Sequence, residues 1–424
     1  MNIVEKVVIK GFWESREISI DFHKDINFFI GPNGSGKTTV INIIAAALTA
    51  DFENILRLPF TSIKIHLREV GGRKRPTIEL SKELSERSTY PKVVYSIKEK
   101  ATATPISFEL DAYEEEMLAR RTMARAANLN LRNTGRGLFE KLAEMVNVSW
   151  LSIHRVSVGP LRGRRDENFE SSVDQKLEEL SVSLAKYFSV LSSKVAEEIA
   201  EFQRNMIVSL ITEQAEQTIF TSIQSLDLED EKRSLVDIFS KLNIKGSARS
   251  KLDKHYIEVE KSRTAMREGP IALSGVMTLV SAYRSHKVVQ EWNALLKKQE
   301  EILQPRITFL AVLNSLYMRK KIEINQRNEL EATTASGKKM PIKALSSGEK
   351  QLVIILGEAL LQQKSAWIYI TDEPELSLHV SWQEKLMDSL VKLNPRAQII
   401  CATHSPDVVS HYTNRIFSMQ EMIE

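Results

Sequence analysis

Hydrophobic and polar positions alternate over short runs near the start of the chain, which is the pattern of half-buried β-strands. A short, largely apolar stretch at 26–30 predicts a further strand, and a glycine-rich loop and an apolar helix at 38–48 follow it. A stretch rich in Arg and Ala predicts a further helix at 113–131. The other predicted strands of this part lie at 4–9, 18–22, 63–70, 77–80, 92–98 and 150–158.

A different pattern fills the chain from about residue 166 to residue 317. Apolar residues at 173–206 recur every three or four positions, which is typical of one helix face or of a coiled-coil seam. A second helical stretch covers 272–303, and Gly- and Pro-containing breaks occur at 245–247 and 269–270. The pattern predicts two or more long helices that run out and back, either as a coiled-coil arm or as an ordinary helical subdomain.

Strands and helices alternate again after residue 321. The predicted elements are a hairpin around Gly337 with strands at 322–333 and 340–342, a helix at 352–361, a strand at 366–371, a helix at 382–393 and a strand at 398–402. This alternation indicates a parallel sheet with helices packed on it. We therefore predict an α/β head with a mixed sheet, made of residues 1–159 and 322–424, and a mostly helical insertion at 160–321.

Composition narrows the class of protein. Hydrophobic residues make up 42% and charged residues 27% of the 424 positions, which is unlike a membrane or a disordered chain. The net charge of +3 is too small to indicate nucleic-acid binding by itself. The chain has one cysteine, Cys401, so an intrachain disulfide framework is excluded. We see neither a signal peptide nor an apolar run of about 18 residues, and we expect a cytoplasmic protein.

The loop at 31–38 carries the first chemical motif. It reads GPNGSGKT and fits the phosphate-binding pattern G-x-x-x-x-G-K-[ST] between a predicted strand and a predicted helix. Its glycines allow backbone N–H groups to face phosphate oxygens, and the helix start adds the positive end of its dipole. We expect Lys37 at the β- and γ-phosphates and Thr38 at Mg²⁺. The residues predicted to bind ATP here are Asn33, Gly34, Ser35, Gly36, Lys37, Thr38 and Thr39.

The apolar strand at 366–371 ends in two acids, Asp372 and Glu373. Such a strand delivers its last side chains to the sheet edge where the phosphate loop also lies. We expect Asp372 to hold the Mg²⁺ shell and Glu373 to orient the attacking water. If the chain had no phosphate loop, the better interpretation of Asp372 and Glu373 would be two solvated acids at the end of a strand.

Residues 345–351 read LSSGEKQ in front of a predicted helix. This resembles the L-S-G-G-[QE] signature of ABC-type ATPases, with Ser347 in place of the first glycine. In that superfamily the signature contacts the γ-phosphate bound by the opposite subunit. The resemblance implies that Ser346 and Gly348 bind nucleotide in this way, in a homodimer or higher homo-oligomer. Capping of the helix by Ser346 or Ser347 is a compatible interpretation.

Two further stretches, DEPELSLH at 372–379 and THSP at 403–406, resemble the ATPases of overcoming-lysogenization-defect type. The resemblance covers residues 1–50 and 340–410 and implies that His404 is the switch histidine that contacts the γ-phosphate. Many of these ATPases carry a C-terminal Toprim nuclease domain. Since 20 residues follow His404, we expect none in this chain.

A stand-alone ATPase of this type is similar to the ATPase subunits of the PARIS and Septu antiphage systems. That resemblance implies a separate effector nuclease of Toprim-like or HNH type as partner, with a nucleic acid or a phage protein as trigger and no membrane. A DNA-repair or chromosome-maintenance ATPase of RecF/SMC-like type is the alternative. The basic clusters at 161–165 and 319–321 would then contact DNA phosphates, although solvated charge explains them equally well. The large insertion disfavours a transporter subunit.

Two expected features of the superfamily have no clear counterpart. The position of the Q-loop offers His154 and Arg155 but no glutamine. Phe12 and Trp13 are candidates for stacking on adenine, and core packing is the alternative for at least one of them.

Overall fold

The structure, a computed structural model, describes residues 1–83, 91–100, 102–111, 129–151, 172–211, 223–244 and 246–423. They form two compact units, which we call the head (Met1–Lys186 and Ile307–Glu424) and the helical unit (Tyr187–Arg306). Most of the predicted helix at 113–131 and of the predicted strand at 150–158 lies outside the described residues, as does the predicted boundary at 159/160. The three-part division at 160 and 321 therefore stays a prediction.

All strands among the described residues belong to the head. In chain order they are β1 (Asn2–Phe12), β2 (Arg16–Asp21), β3 (Ile26–Ile30), β4 (Ser62–Glu69), β5 (Thr77–Glu83), β6 (Lys92–Lys98), β7 (Ile106–Asp111), β8 (Val148–Leu151), β9 (Lys320–Ile324), β10 (Leu330–Thr334), β11 (Lys339–Pro341), β12 (Ile368–Asp372), β13 (Gln398–Ala402) and β14 (Ile416–Ser418).

The helices are distributed over both units. They are α1 (Lys37–Thr49), α2 (Phe52–Arg57), α3 (Leu129–Met145), α4 (Ser172–Ile211), α5 (Leu228–Lys241), α6 (Ala248–Glu268), α7 (Leu273–Leu316), α8 (Ser347–Leu361), α9 (Val380–Leu393), α10 (Pro406–Val409) and α11 (Met419–Ile423), with 3₁₀ turns at Ile342–Ala344 and Thr413–Arg415. The boundaries between the units fall within α4 and α7. Among the described residues, no helix is both long and apolar enough to cross a membrane.

A five-stranded parallel sheet with the strand order β14-β3-β13-β12-β8 lies at the centre of the head. Its inner strands are mostly apolar and are buried along almost their whole length, as expected for strands that are covered on both faces. Helix α1 contacts this sheet and is buried on nearly all sides. Because the strands are parallel, the segments that follow β3, β12 and β13 all emerge at one edge of the sheet.

The antiparallel strands form two separate sheets. One has six strands in the order β2-β1-β4-β5-β6-β7, and the other has three in the order β11-β10-β9. The mixed sheet predicted for the head is thus divided into one parallel sheet and two antiparallel sheets. The α/β head with a long helical insertion is confirmed. Strand β7 was not predicted.

The hairpin predicted around Gly337 is present as β10 and β11, and β9 adds a third strand to it. The predicted strand at 322–333 is divided by a turn, in which Asn325 Oδ1 accepts hydrogen bonds from the backbone of Arg327 (2.8 Å) and Glu329 (3.0 Å). Asparagine competes in this way with strand pairing, which period-two alternation does not reveal.

The helical unit has its own apolar core. Tyr256, Val259, Leu279 and Trp292 are buried in it, and the ring of Phe202 meets Trp292 edge-on at 5.7 Å between centroids. Burial of such large side chains is sufficient to order a small helical subdomain. Between the two predicted alternatives, this core is typical of a subdomain with tertiary packing of its own.

Candidate functional site

The glycine-rich loop connects β3 to α1, and its backbone requires glycine at one point above all. Gly36 caps α1 with φ of +90°, where an added Cβ would come within 2.9 Å of the Phe12 ring and 3.1 Å of Trp13. Gly34 also has a positive φ, of +80°. Ser35 Oγ is buried and has no hydrogen-bond partner among the described residues. The loop therefore holds an unsatisfied donor at the start of a helix, where an anion is favoured.

Lys37 begins α1 and is 4% exposed. Its Nζ donates hydrogen bonds to the carbonyls of Gly31 (2.8 Å) and Pro32 (3.0 Å) in the loop. Burial lowers the pKa of Lys37, and the nearby carboxylates of Glu373, Asp372 and Glu375 act in the opposite direction. A buried cation thus lies at the loop beside three acids, an arrangement suited to a phosphate ligand that brings its own divalent cation.

Thr38 and Asp372 lie side by side, although 334 positions separate them in the chain. Thr38 Oγ1 donates a hydrogen bond of 3.1 Å to Asp372 Oδ1. Asp372 ends β12, and Thr38 lies in the first turn of α1. A hydroxyl and a carboxylate are the oxygen ligands that Mg²⁺ prefers, so this pair fits the predicted metal position.

Glu373 and His404 also meet at this edge. His404 Nε2 lies 3.6 Å from Glu373 Oε1, and both side chains are about one-third exposed. The Glu373 backbone has φ of +48°, and its N–H donates to the carbonyl of Ala402 at 2.9 Å. Such a left-handed conformation at a non-glycine residue is costly and is often found at functional sites. The two residues predicted to be catalytic are therefore adjacent and accessible to solvent.

Glu375 joins this group without having been assigned a role from the sequence. It is 9% exposed, and its Oε1 accepts hydrogen bonds from the turn that carries His404. The signal was present as the third acid of DEPELSLH, but an acid in a loop is ordinarily solvated.

The signature residues lie at the start of α8. Ser346 is exposed, and its N–H and hydroxyl both donate to Glu349 Oε2, at 2.8 and 2.9 Å. Lys320 pairs with the same carboxylate at 2.7 Å. Gly348 is buried, and an added Cβ would lie 2.3 Å from the carbonyl oxygen of Ser377. The hydrogen bonds of Ser346 thus run to its own helix and not to the phosphate loop of the same chain.

The two aromatic candidates differ in exposure. Phe12 is fully buried, whereas Trp13 is 38% exposed, with 4.7 Å between the ring centroids. Since both rings approach Gly36, Trp13 presents an aromatic surface beside the phosphate loop.

The remaining predicted residues are the Q-loop candidates and the two basic clusters. The Q-loop candidates His154 and Arg155 and the basic cluster at 161–165 lie outside the described residues. In the cluster at 319–321, Lys320 pairs with Glu349 and Lys321 with Glu323, each at 2.7 Å.

A phosphate loop whose lysine is buried beside acids at the shared edge of a parallel sheet defines the class of P-loop ATPases. The chain belongs to the AAA ATPase domain family, which matches residues 1–409. Membership of this family assigns ATP hydrolysis to the domain.

Among curated proteins, the chain is similar to the Retron Vc95 probable ATPase of Vibrio cholerae serotype O1 biovar El Tor. The two are 26% identical over 179 residues, which cover 39% of this chain and 33% of that protein. The DNA double-strand break repair Rad50 ATPase of Nanoarchaeum equitans (strain Kin4-M) is 42% identical over 57 residues, 13% of this chain and 7% of that protein. The matches thus span a third and less than a tenth of these relatives' lengths.

Similar solved structures are head domains of Smc proteins. One is the Smc head with an extended coiled coil bound to the C-terminal domain of ScpA, derived from Pyrococcus furiosus, with a TM-score of 0.42, 16% identity, and coverage of 96% of this chain and 91% of that one. Another is the Smc head with a coiled coil and joint from Pyrococcus yayanosii, with a TM-score of 0.40, 15% identity, and coverage of 96% and 93%.

Proposed function

We propose that this protein binds ATP with Mg²⁺ and hydrolyses it in a composite site between two copies of the chain, in a homodimer or a higher homo-oligomer. The observation that carries the proposal is the grouping of buried Lys37, the Thr38–Asp372 pair and the Glu373–His404 pair at one sheet edge. In the proposal, this group of residues forms one half of a site for phosphoryl transfer. Positioning and charge stabilisation supply most of the catalysis in such sites.

Each residue has a stated role in the proposal. The backbone of residues 33–39 surrounds the phosphates, and Lys37 neutralises the β- and γ-phosphates. Thr38 and Asp372 hold Mg²⁺, which supplies charge neutralisation when bound. Glu373 orients and deprotonates the attacking water, with His404 at the γ-phosphate.

The second half of the site comes from the partner copy. Ser346 is exposed at the start of α8, where a hydroxyl and the helix dipole together favour an anion. Its hydrogen bonds to Glu349 fix the serine without engaging the chain's own phosphate loop. We therefore assign Ser346 and Gly348 to the nucleotide of the opposite subunit.

Replacement of the base tests the chemistry. Glu373→Gln should bind ATP with unchanged affinity but hydrolyse it at least about 100-fold more slowly, because general base catalysis is lost. Steady-state phosphate release and a nucleotide titration measure the two quantities. Glu384→Gln, at an exposed position of α9, is the matched control and should retain the parental rate. Hydrolysis by Glu373→Gln at the parental rate would show that another residue is the base.

For the biological role, we propose a cytoplasmic antiphage ATPase that senses infection or serves as a scaffold and controls a separate nuclease of Toprim-like or HNH type. The similarity to a retron ATPase supports this role. Purification of the tagged protein from its native host should recover a nuclease, and deletion of the gene should increase phage plaquing. If Lys37→Ala protects the host as well as the parental protein does, nucleotide binding is not part of this role.

A DNA-repair or chromosome-maintenance ATPase is the second candidate, favoured by the match to a double-strand break repair ATPase. It predicts DNA affinity that falls steeply with salt concentration. The ion pairs of Lys320 and Lys321 reduce the charge of the 319–321 cluster available to DNA. In either role, we propose the helical insertion at 160–321 as the region that receives the signal.

A further inference from the structure

Glu375 is a buried carboxylate to which the proposed chemistry assigns no step. Its Oε1 accepts three hydrogen bonds from the turn after β13: from Thr403 Oγ1 (2.6 Å), His404 N (2.9 Å) and Ser405 N (3.3 Å). Its other oxygen, Oε2, is buried without a hydrogen-bond partner among the described residues. A half-satisfied buried carboxylate costs stability, so its retention points to a purpose other than packing.

The hydrogen bonds of Glu375 hold the turn at its first three residues, Thr403, His404 and Ser405. Bonds to a charged carboxylate are shorter and roughly twice as strong as bonds between neutral groups. The backbone of His404 is held at Glu375, while its ring lies 3.6 Å from Glu373. The distance between the His404 imidazole and the Glu373 carboxylate therefore depends on Glu375, whose hydrogen bonds reach neither of these two side chains.

A second side chain fastens the same two segments. Gln383 of α9 accepts a hydrogen bond from Ser405 Oγ (2.7 Å) and donates to the carbonyls of Leu378 (3.0 Å) and Glu375 (3.4 Å). The acidic loop after β12 and the histidine turn after β13 thus form one hydrogen-bonded unit. The two segments are also joined by the backbone pairing of β12 with β13, by the Glu373 N–H bond to Ala402 and by the contact of His404 with Glu373.

We propose that Glu375 is a positioning residue, which sets the imidazole of His404 against Glu373 by accepting hydrogen bonds from the Thr403–Ser405 turn. The expected effect of Glu375 on the rate of hydrolysis rests on the proposed ATPase function. Its expected effect on the position of the His404 ring does not. Glu375→Gln tests both, because it is nearly isosteric and removes the charge that strengthens the three bonds.

A double-mutant cycle separates positioning from general destabilisation. Glu375→Gln should lower kcat by at least about tenfold, because small misplacements of catalytic groups are costly, and should leave the KM for ATP within about twofold. In the His404→Ala background, the same change should have no further effect, because Glu375 acts through His404. Equal fold losses in both backgrounds would overturn the proposal.

Variants of Thr403 provide a second test at the shortest of the three bonds. Thr403→Val removes the hydroxyl and should lower kcat, whereas Thr403→Ser keeps it and should restore most of the rate. If Thr403→Ser and Thr403→Val are equally impaired, the hydroxyl bond to Glu375 does not set the position of His404.

A spectroscopic readout requires no hydrolysis. The chain has eight histidines, and the ring signal of His404 can be assigned in carbon–proton NMR spectra with a His404→Gln variant. Glu375→Gln should shift that signal in nucleotide-free protein, whereas Glu384→Gln should not. An unmoved His404 signal would overturn the positioning role even in an active ATPase. A shifted signal in a protein without any ATPase activity would support positioning and overturn the proposed function instead.

Discussion

Lys37 illustrates how one residue of the phosphate loop combines burial with charge. Its ammonium group is bound to two loop carbonyls and lies among carboxylates, so it is fixed before any ligand arrives. Pre-organisation of this kind reduces the entropy lost on binding.

Lys37→Ala should therefore weaken ATP binding on the order of 100-fold, since each hydrogen bond to a charged group contributes about 1.5–3 kcal/mol. A titration with a fluorescent ATP analogue measures the affinity. Lys24→Ala is the matched control, because Lys24 is exposed and precedes β3 at the opposite end of that strand. Unchanged affinity in Lys37→Ala would rule out the phosphate-loop assignment.

Trp13 is the exposed one of the two aromatic residues predicted to stack on adenine. Trp13→Ala should weaken ATP binding by about 1–3 kcal/mol, which is the contribution of stacking one base on an aromatic ring. Trp13→Phe should retain most of the affinity. Tripolyphosphate has no base, so its affinity should be the same for all three proteins in a competition titration. Equal losses for ATP and tripolyphosphate would mean that Trp13 supports the loop and does not contact adenine.

At the scale of an element, helix α8 is anchored at its first turn. Glu349 receives the hydrogen bonds of Ser346 and the ammonium group of Lys320, and the hydroxyl of Tyr317 donates to its carbonyl at 2.8 Å. Burial raises the pKa of Glu349, but the hydrogen bonds from Lys320 and Ser346 outweigh it, and the net pKa is below the ordinary 4.5. The folded state therefore favours the ionised carboxylate.

This shift predicts a pH-dependent contribution to stability. The stabilisation by Glu349 is fully present above pH 4.5, its ordinary pKa, and is lost as the pH falls through the lower pKa of the folded state. Glu349→Gln should lower the free energy of unfolding by about 1.5–3 kcal/mol at pH 7. The difference in Tm between the parental protein and Glu349→Gln should shrink below pH 4.5. Glu53→Gln, at an exposed ion pair, should have little effect at any pH. A Tm difference that does not change with pH would contradict the ionised role.

At the scale of the whole molecule, the proposed composite site takes its two halves from different copies of the chain. The phosphate loop and acids of one copy would form one half, and the exposed start of α8 of the other copy would form the second. A site that requires two copies makes ATP a link between subunits, so that nucleotide binding and assembly are thermodynamically coupled.

Mixing of two inactive variants tests this arrangement. Lys37→Ala keeps an intact signature, and Ser346→Arg keeps an intact phosphate loop but places bulk where the partner's γ-phosphate must approach. Each variant alone should be nearly inactive, and a mixed dimer should regain one working site. ATPase activity should therefore rise on mixing, after native mass spectrometry has confirmed subunit exchange. Full activity of Ser346→Arg alone would contradict the composite site.

Local order in the chain was predictable from the sequence by itself. The buried strand at 26–30, the loop at 31–38 and the helix after it follow from short-range patterns, because apolar runs and positive-φ glycines depend on adjacent residues. The strands at 92–98 and 398–402 were predicted with the bounds that the structure has. The sequence also determined the family-level chemistry, since the residues within each motif lie close together in the chain.

Contacts between distant segments were decided by the tertiary structure alone. The order β3-β13-β12 brings Thr38 to Asp372, and it brings the carboxylate of Glu375 to the turn of His404, 29 positions away. A single sequence does not specify which strands are neighbours, because apolar periodicity encodes burial and not pairing. For the same reason, nothing in the sequence distinguishes Glu375 from an ordinary acid in a loop. Only the tertiary structure shows that it is buried against the Thr403–Ser405 turn.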